Sequence, residues 1–162
     1  MLNTMLNITS ILTAITLLML PVINVPVAVA QSFTQQSQNT LVNKDNTLKF
    51  DLQGCQRENQ QVICDLLITS LIDEKRDLQI YAKSRVLDFS GSEYISKGVR
   101  FSNERPAESA EKALIQGVSM KASIFFEIPS HVNNLAALDI YYWFGYQTSI
   151  ALRNIAIQPK RR

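Results

Sequence analysis

The chain has 162 residues, 46% of them hydrophobic, and a formal net charge of +2. This length suits a single domain with a real hydrophobic core. So small a net charge, with no long run of one sign, argues against strong electrostatic binding of nucleic acid or of an anionic membrane. Basic residues do cluster at the end of the chain, and we expect residues 159–162 to form a short basic tail.

The first 30 residues have the pattern of an export signal. No Asp, Glu, Lys or Arg precedes Lys44, and Ile11 to Leu20 is an apolar run interrupted by two threonines. Ala28 and Ala30 then form the Ala-x-Ala pattern that a signal peptidase reads, so Gln31 is the predicted new N-terminus. We therefore predict an exported protein, located in the periplasm or outside the cell.

An uncleaved membrane anchor from Ile8 to Ala30 is the alternative. Pro21, Pro26 and the lack of flanking positive charge argue against it. Membrane contact is then expected only through the signal segment, were it to stay attached. The polar residues 31–46 predict a flexible N-terminal segment, and residues 47–158 the folded domain.

Cys55 and Cys64 are the only cysteines. In an exported chain, an even and closely spaced pair predicts a structural disulfide. A metal site is the first alternative, but two cysteines and one distant histidine make a poor ligand set. The second is a redox pair, which the spacing disfavours because it is not Cys-x-x-Cys. We predict no metal and no cofactor.

Apolar and polar residues alternate on both sides of this cysteine pair, which predicts a β-hairpin with a polar loop at residues 57–61. The apolar residues of the two strands do not fall on the same face of a regular hairpin. With Cys55 opposite Cys64 in a regular ladder, the apolar Phe50 and Leu52 point away from the apolar face of the second strand. One extra residue restores the match, and we predict a β-bulge at Gly54.

Further strands are predicted at Leu78–Leu87, Tyr94–Phe101, Ala122–Pro129, Leu138–Phe144 and Thr148–Ile157. Residues 88–92 read as a tight turn that Asp88 begins and Gly91 completes with positive φ. A calcium loop is the alternative there, but too few carboxylates are present. The charged stretch 102–112 is expected to be a loop or one short helix, and residues 131–137 a loop or a helical turn.

The densest aromatic cluster runs from Tyr141 to Tyr146. Strand alternation sends Tyr142 and Phe144 to one face and Tyr141 and Trp143 to the other. We expect one face to be core. The second face makes Tyr141, Trp143 and Tyr146 candidate ligand-binding residues, although aromatic residues also favour strands for packing alone.

Many short strands without a long amphipathic helix predict an all-β, antiparallel sandwich. Several short motifs resemble those of the secreted bacterial immunoglobulin-like domains of unknown function: Phe50-x-Leu52-x-Gly54-Cys55, Val62-x-Cys64, Asp88-x-x-Gly91, and Gln116-Gly117 ahead of Phe126-Glu127-Ile128-Pro129. This resemblance covers about Leu48 to Ile157. It implies an immunoglobulin-like sandwich and export, and it assigns no catalytic residue.

The residues do not form a recognisable enzyme site. His131 with Ser130 and Asp139 would suit a small hydrolase, but no nucleophile elbow or Gly-rich oxyanion loop accompanies them. We therefore predict a non-enzymatic module that binds an envelope protein or a surface polymer. Carbohydrate binding through the aromatic cluster is the alternative, and a hydrolase using His131 is the weakest of the three hypotheses.

Overall fold

A computed structural model describes residues 39–160. The predicted signal segment, the predicted flexible segment up to residue 38, and Arg161 and Arg162 of the predicted basic tail lie outside the described residues. The described part is all-β, as predicted. Its ten strands are β1 (Thr40–Val42), β2 (Leu48–Glu58), β3 (Gln61–Ser70), β4 (Asp77–Tyr81), β5 (Arg85–Asp88), β6 (Glu93–Phe101), β7 (Ser109–Ala113), β8 (Ser119–Glu127), β9 (Asn134–Trp143) and β10 (Gln147–Pro159).

Seven of these strands close into a ring of hydrogen-bonded neighbours. Starting from β2 and returning to it, the order is β2, β3, β8, β6, β5, β9, β10. The neighbours are antiparallel except β10 and β2, which pair in parallel from Ile157 opposite Cys55. The inward side chains of the ring form one hydrophobic core. Residues 39–160 contain no helix long and apolar enough to cross a membrane.

The other three strands extend this ring at its edges. β1 lies beside β2, with Thr40 opposite Asp51, and β4 lies beside the last residues of β9 with β7 beyond it. The position of β1 differs from the flexible segment predicted for residues 31–46. The turn after β1 is fixed because the side-chain oxygen of Asn43 accepts hydrogen bonds from the backbone of Thr47 and Leu48.

The disulfide hairpin is confirmed. Cys55 and Cys64 lie opposite each other in β2 and β3, and their sulfurs are bonded. The loop between these strands is only Asn59 and Gln60, shorter than predicted. Both cysteines are fully buried. The disulfide is therefore part of the core and joins two neighbouring strands within the sheet.

The predicted bulge at Gly54 is also confirmed. The pairing shifts between Leu52, which lies opposite Leu66, and Gly54, which lies opposite Asp65. The extra residue in β2 brings Phe50 opposite Ile68, and all four of Phe50, Leu52, Leu66 and Ile68 are buried. Gly54 has φ of 144°, a conformation that residues with a side chain rarely adopt.

Three other predictions need correction. The single strand predicted from Leu78 to Leu87 is two strands, since the chain turns between Tyr81 and Ser84. The charged stretch 102–112 contains the start of β7, because the backbone there pairs with β4 and Ala110 enters the core. β9 begins at Asn134, inside the predicted loop 131–137, where Leu135 is fully buried.

The turn from Asp88 to Ser92 forms as predicted, with Gly91 at φ of 87°. The Asp88 carboxylate accepts hydrogen bonds from the backbone of Ser90 and Ser92, from the Ser90 hydroxyl at 2.6 Å and from the Tyr94 hydroxyl. These bonds, led by the one from the Ser90 side chain, lower the pKa of Asp88 against the opposing effect of its burial.

Gly54→Ala tests the bulge. No atom lies within 4 Å of an added Cβ, so the cost comes from the backbone conformation alone. We expect a loss of about 1–3 kcal/mol in the free energy of unfolding, measured by urea denaturation of the oxidised protein. The exposed Gln56→Ala, at a regularly paired position of the same strand, is the control and should change stability by less than about 0.5 kcal/mol. Equal effects of the two variants would contradict the strained bulge.

Asp88→Asn tests the carboxylate turn through its pH dependence. Because the folded pKa of Asp88 lies below its unfolded value of about 3.9, the charged group stabilises the fold above that pH. This stabilisation disappears as the pH falls through the folded pKa. The stability gap between wild type and Asp88→Asn should therefore narrow between pH 6 and pH 2. The neighbouring Phe89→Ala removes an exposed side chain without a titratable group and is the control; the stability difference it causes should stay constant over this pH range.

Candidate ligand-binding surface

The sequence-predicted alternation in β9 is confirmed. Tyr142 and Phe144 are buried, whereas Trp143 is 39% exposed and Tyr141 is half-buried on the opposite side of the strand. The Tyr142 ring packs on Phe50 with the ring centres 5.1 Å apart, and burial raises the pKa of Tyr142. The core therefore holds β9 from one side and turns Tyr141 and Trp143 outward.

A third aromatic residue joins these two from β4. Tyr81 is half-buried, and its ring lies 5.9 Å from that of Tyr141 at an angle of 53°. The sequence showed that Tyr81 alternates with the apolar Ile80, but it did not show that β4 lies beside β9. We call the outward side chains of Tyr81, Tyr141 and Trp143 the aromatic face.

Uncharged polar side chains flank the rings of the aromatic face along two rows of paired residues. Gln79 and Gln147 lie on either side of Trp143, and Ser109 and Ser149 continue the Tyr81–Tyr141 row. The Tyr81 hydroxyl donates to the Gln79 side chain at 2.7 Å. Rings that offer an apolar face, beside amides that donate and accept hydrogen bonds, suit a ligand with both apolar and hydroxyl-bearing sides.

Ser84 fixes the geometry between the two strands that carry this face. Its hydroxyl donates to the Tyr81 carbonyl at 2.9 Å and accepts from the Tyr141 backbone N–H at 3.0 Å. Its carbonyl accepts a bond from Ser96 of β6. One fully buried serine therefore holds β4, β9 and β6 together where the sheet divides.

Tyr146 does not belong to the aromatic face. It lies in the short loop between β9 and β10, is 47% exposed, and its hydroxyl donates a hydrogen bond to Asp45 in the turn after β1. The three residues predicted to bind a ligand, Tyr141, Trp143 and Tyr146, therefore do not form one site. Tyr141 and Trp143 share one surface, and Tyr146 links two loops.

The residues of the hydrolase hypothesis are not brought together. His131 is exposed beside an open depression of about 420 Å³ that Ser130 and Gln60 also line. Asp139 instead lies on the outer side of β9, where it accepts a bond from Arg85 at 3.1 Å. No group of three or more His, Cys, Asp or Glu side chains within residues 39–160 is placed to hold a metal ion.

Similarity of this chain to known proteins is limited to solved structures. No family model matches the chain, and no curated protein matches it. Among solved structures, the CooA pilin subunit from enterotoxigenic Escherichia coli is similar over 70% of this chain and 98% of the pilin chain, with 8% identity and a TM-score of 0.32. A TM-score this low carries no inference about fold or function.

Substitution of adjacent β9 residues tests which side is core. Tyr142→Ala should cost about 3–5 kcal/mol in the free energy of unfolding because it leaves a cavity beside Phe50. Trp143→Ala should cost about 1 kcal/mol, as it removes a partly exposed ring. Far-UV circular dichroism in urea measures both. Equal losses would place Trp143 in the core and end its candidacy as a binding residue.

Proposed function

We propose that this chain is an exported, non-enzymatic binding module whose aromatic face binds a surface polysaccharide. The observation that carries the proposal is the set of three outward rings, Tyr81, Tyr141 and Trp143, on two adjacent strands and flanked by amide side chains. A sugar ring has an apolar C–H face and a rim of hydroxyls. The rings suit the former and the amides suit the latter.

The flatness of the site favours a polymer over a small molecule. Small ligands bind in concave pockets that bury most of their surface, whereas the rings here stand on the outer side of a sheet. Tyr141 and Trp143 are two residues apart, about 7 Å along the strand. An extended chain that lies over successive rings gains contact area without needing a cavity.

Export is supported by the buried disulfide, because such bonds persist in oxidising compartments. The N-terminal apolar run and Ala-x-Ala pattern support it independently. The compartment that fits both features is the periplasm or the extracellular side. A binding role suits this setting, since polysaccharides of the envelope are accessible there.

We further propose that the closed sheet is an immunoglobulin-like sandwich. The strand order supports this proposal. One side of the ring has the order β2, β3, β8, β6, and the other β5, β9, β10. We letter the strands A to G along the chain, count β4 and β5 as one interrupted strand C, and leave out the edge strands β1 and β7. The order then matches that of the ABED and CFG sheets of a seven-stranded constant-type immunoglobulin domain.

A protein partner is the second candidate, and a different surface favours it. Leu71, Ile115 and Val118 are exposed apolar residues on two connections that meet where the Gln116 side chain donates to the Leu71 carbonyl. Exposed apolar residues that cluster mark sites of protein interaction more often than scattered ones do. This surface lies outside the aromatic face.

The test uses the single tryptophan of the chain as a reporter. We expect the fluorescence of the oxidised, exported protein to shift with at least one polysaccharide of a diverse panel. Affinity electrophoresis with the same polymers should show retarded migration. Trp143→Ala should abolish the retardation, because it removes the most exposed ring of the aromatic face.

Phe89→Ala is the matched control. Phe89 is an exposed aromatic residue next to Asp88, which pairs with Leu135, eight residues or about 26 Å along β9 from Trp143. It should leave the retardation unchanged. If the polymer retards migration of Trp143→Ala as much as that of the wild type, the proposed site is refuted. If the protein binds no polymer but binds an envelope protein, and Ile115→Ser abolishes that binding, the second candidate would be established instead.

A further inference from the structure

A groove adjoins the aromatic face at Tyr81. It has a volume of about 440 Å³ and lies between the β4–β5 connection, the middle of β6 and the segment that leads into β7. Tyr81 belongs to both the groove and the aromatic face. The side chains that give the groove its charge are Lys83, Lys97 and Glu108. A ligand that extends past Tyr81 therefore meets charged groups that the aromatic face does not offer.

Two irregularities in the sheet place the lysines on this groove. The chain turns out of the strand between Tyr81 and Ser84, which leaves Lys83 exposed in the connection. In β6 the pairing with β8 shifts between Ser96 and Gly98, and Lys97 is the extra residue. The Ser96 hydroxyl donates to the Gly98 carbonyl and stabilises that bulge. Regular strands at either position would have aimed these side chains differently.

The cationic groups of the groove are weakly paired. Lys83 forms no ion pair within the described residues, and Lys97 lies 3.7 Å from Glu127 with both side chains more than half exposed. An exposed pair of that kind contributes little. Glu108 lines the groove but is not within ion-pair distance of either lysine in the described structure. The nearby Arg85, by contrast, is paired with both Asp139 and Glu93.

The charges at the opposite end of the aromatic face differ. Glu111 is exposed at the far edge of the row that contains Gln79 and Trp143, two strands or about 10 Å from Trp143. A negative ligand group would thus meet Glu111 beyond Gln79, whereas at the Tyr81 end it can reach the weakly paired ammonium groups of Lys83 and Lys97.

We infer that the polymer is an acidic polysaccharide. Its sugar rings lie over Trp143, Tyr141 and Tyr81, and its carboxylates bind Lys83 and Lys97 in the adjoining groove. This inference rests on the proposed function of the aromatic face and adds the charge class of the ligand. Two lysine ammonium groups provide strong but non-directional attraction, which suits carboxylates spaced along a flexible chain.

The experiment compares acidic polymers with their uncharged derivatives. Polygalacturonate, alginate and hyaluronate are each measured beside the methyl ester of the same polymer, at low and at moderate salt. The wild-type protein should bind at least one acid form about five- to tenfold more tightly than its ester at low salt, and salt should reduce this preference.

Lys83→Gln with Lys97→Gln should remove the preference by weakening binding of the acid form to the level of its ester. Lys44→Gln with Lys75→Gln makes the same charge change at two other exposed lysines and should keep the preference. Trp143→Ala should weaken binding of both forms. These three responses separate the contribution of the lysines from that of the rings and from that of net charge.

Equal binding of acid and ester by the wild type would overturn the inference and leave the proposed function standing. A preference that survives in the Lys83 and Lys97 double variant, or that the control variant loses equally, would overturn it as well. Failure of the protein to bind any acid or ester form would count against the proposed function itself.

Discussion

The bulge at Gln53 and Gly54 determines which side chains of β2 enter the core. Phe50 and Leu52 precede it, Cys55 follows it, and all three are buried. Without the extra residue, the alternation of β2 would put either the two apolar residues or the cysteine on the solvent side. The hydrogen-bonded register and the disulfide are compatible with one buried face only because Gly54 adopts a φ of 144°.

Closure of the sheet depends on the same part of β2. Cys55 is paired with Cys64 on one side and with Ile157 of β10 on the other. The parallel contact with β10 removes an edge that the strand would otherwise expose. On the inner side, Phe50 packs on Tyr142, which fixes the side of β9 that is buried. The orientation of Trp143 therefore follows from the register of the disulfide hairpin, through the contact of Phe50 with Tyr142 and the alternation of β9.

The parts of this structure that sequence reasoning predicted are local ones. Alternation predicted the hairpin, the bulge and the two sides of β9, the cysteine pair predicted the disulfide, and Asp88 with Gly91 predicted the turn. Each of these depends on residues close in the chain. The break at Ser84 was missed, since its cause is hydrogen bonding of Ser84 to Tyr141, 57 residues away. β7 was missed because its charged residues resemble a loop and only the edge of β4 makes them a strand. The contribution of Tyr81 to the aromatic face depends on that same distant pairing.

The candidate surface lies where the regular sheet is interrupted. β5 pairs with both β9 and β6, whereas β4 pairs with the end of β9 and, on its other side, with β7. Ser84 stands at this division with its hydroxyl and carbonyl fully used in joining the strands. A continuous strand there would carry its side chains alternately inward and outward, with no room for a groove. Division of the strand lets Tyr81 remain beside Tyr141 while Lys83 moves into the connection, so the same local irregularity supplies both the ring and the charge.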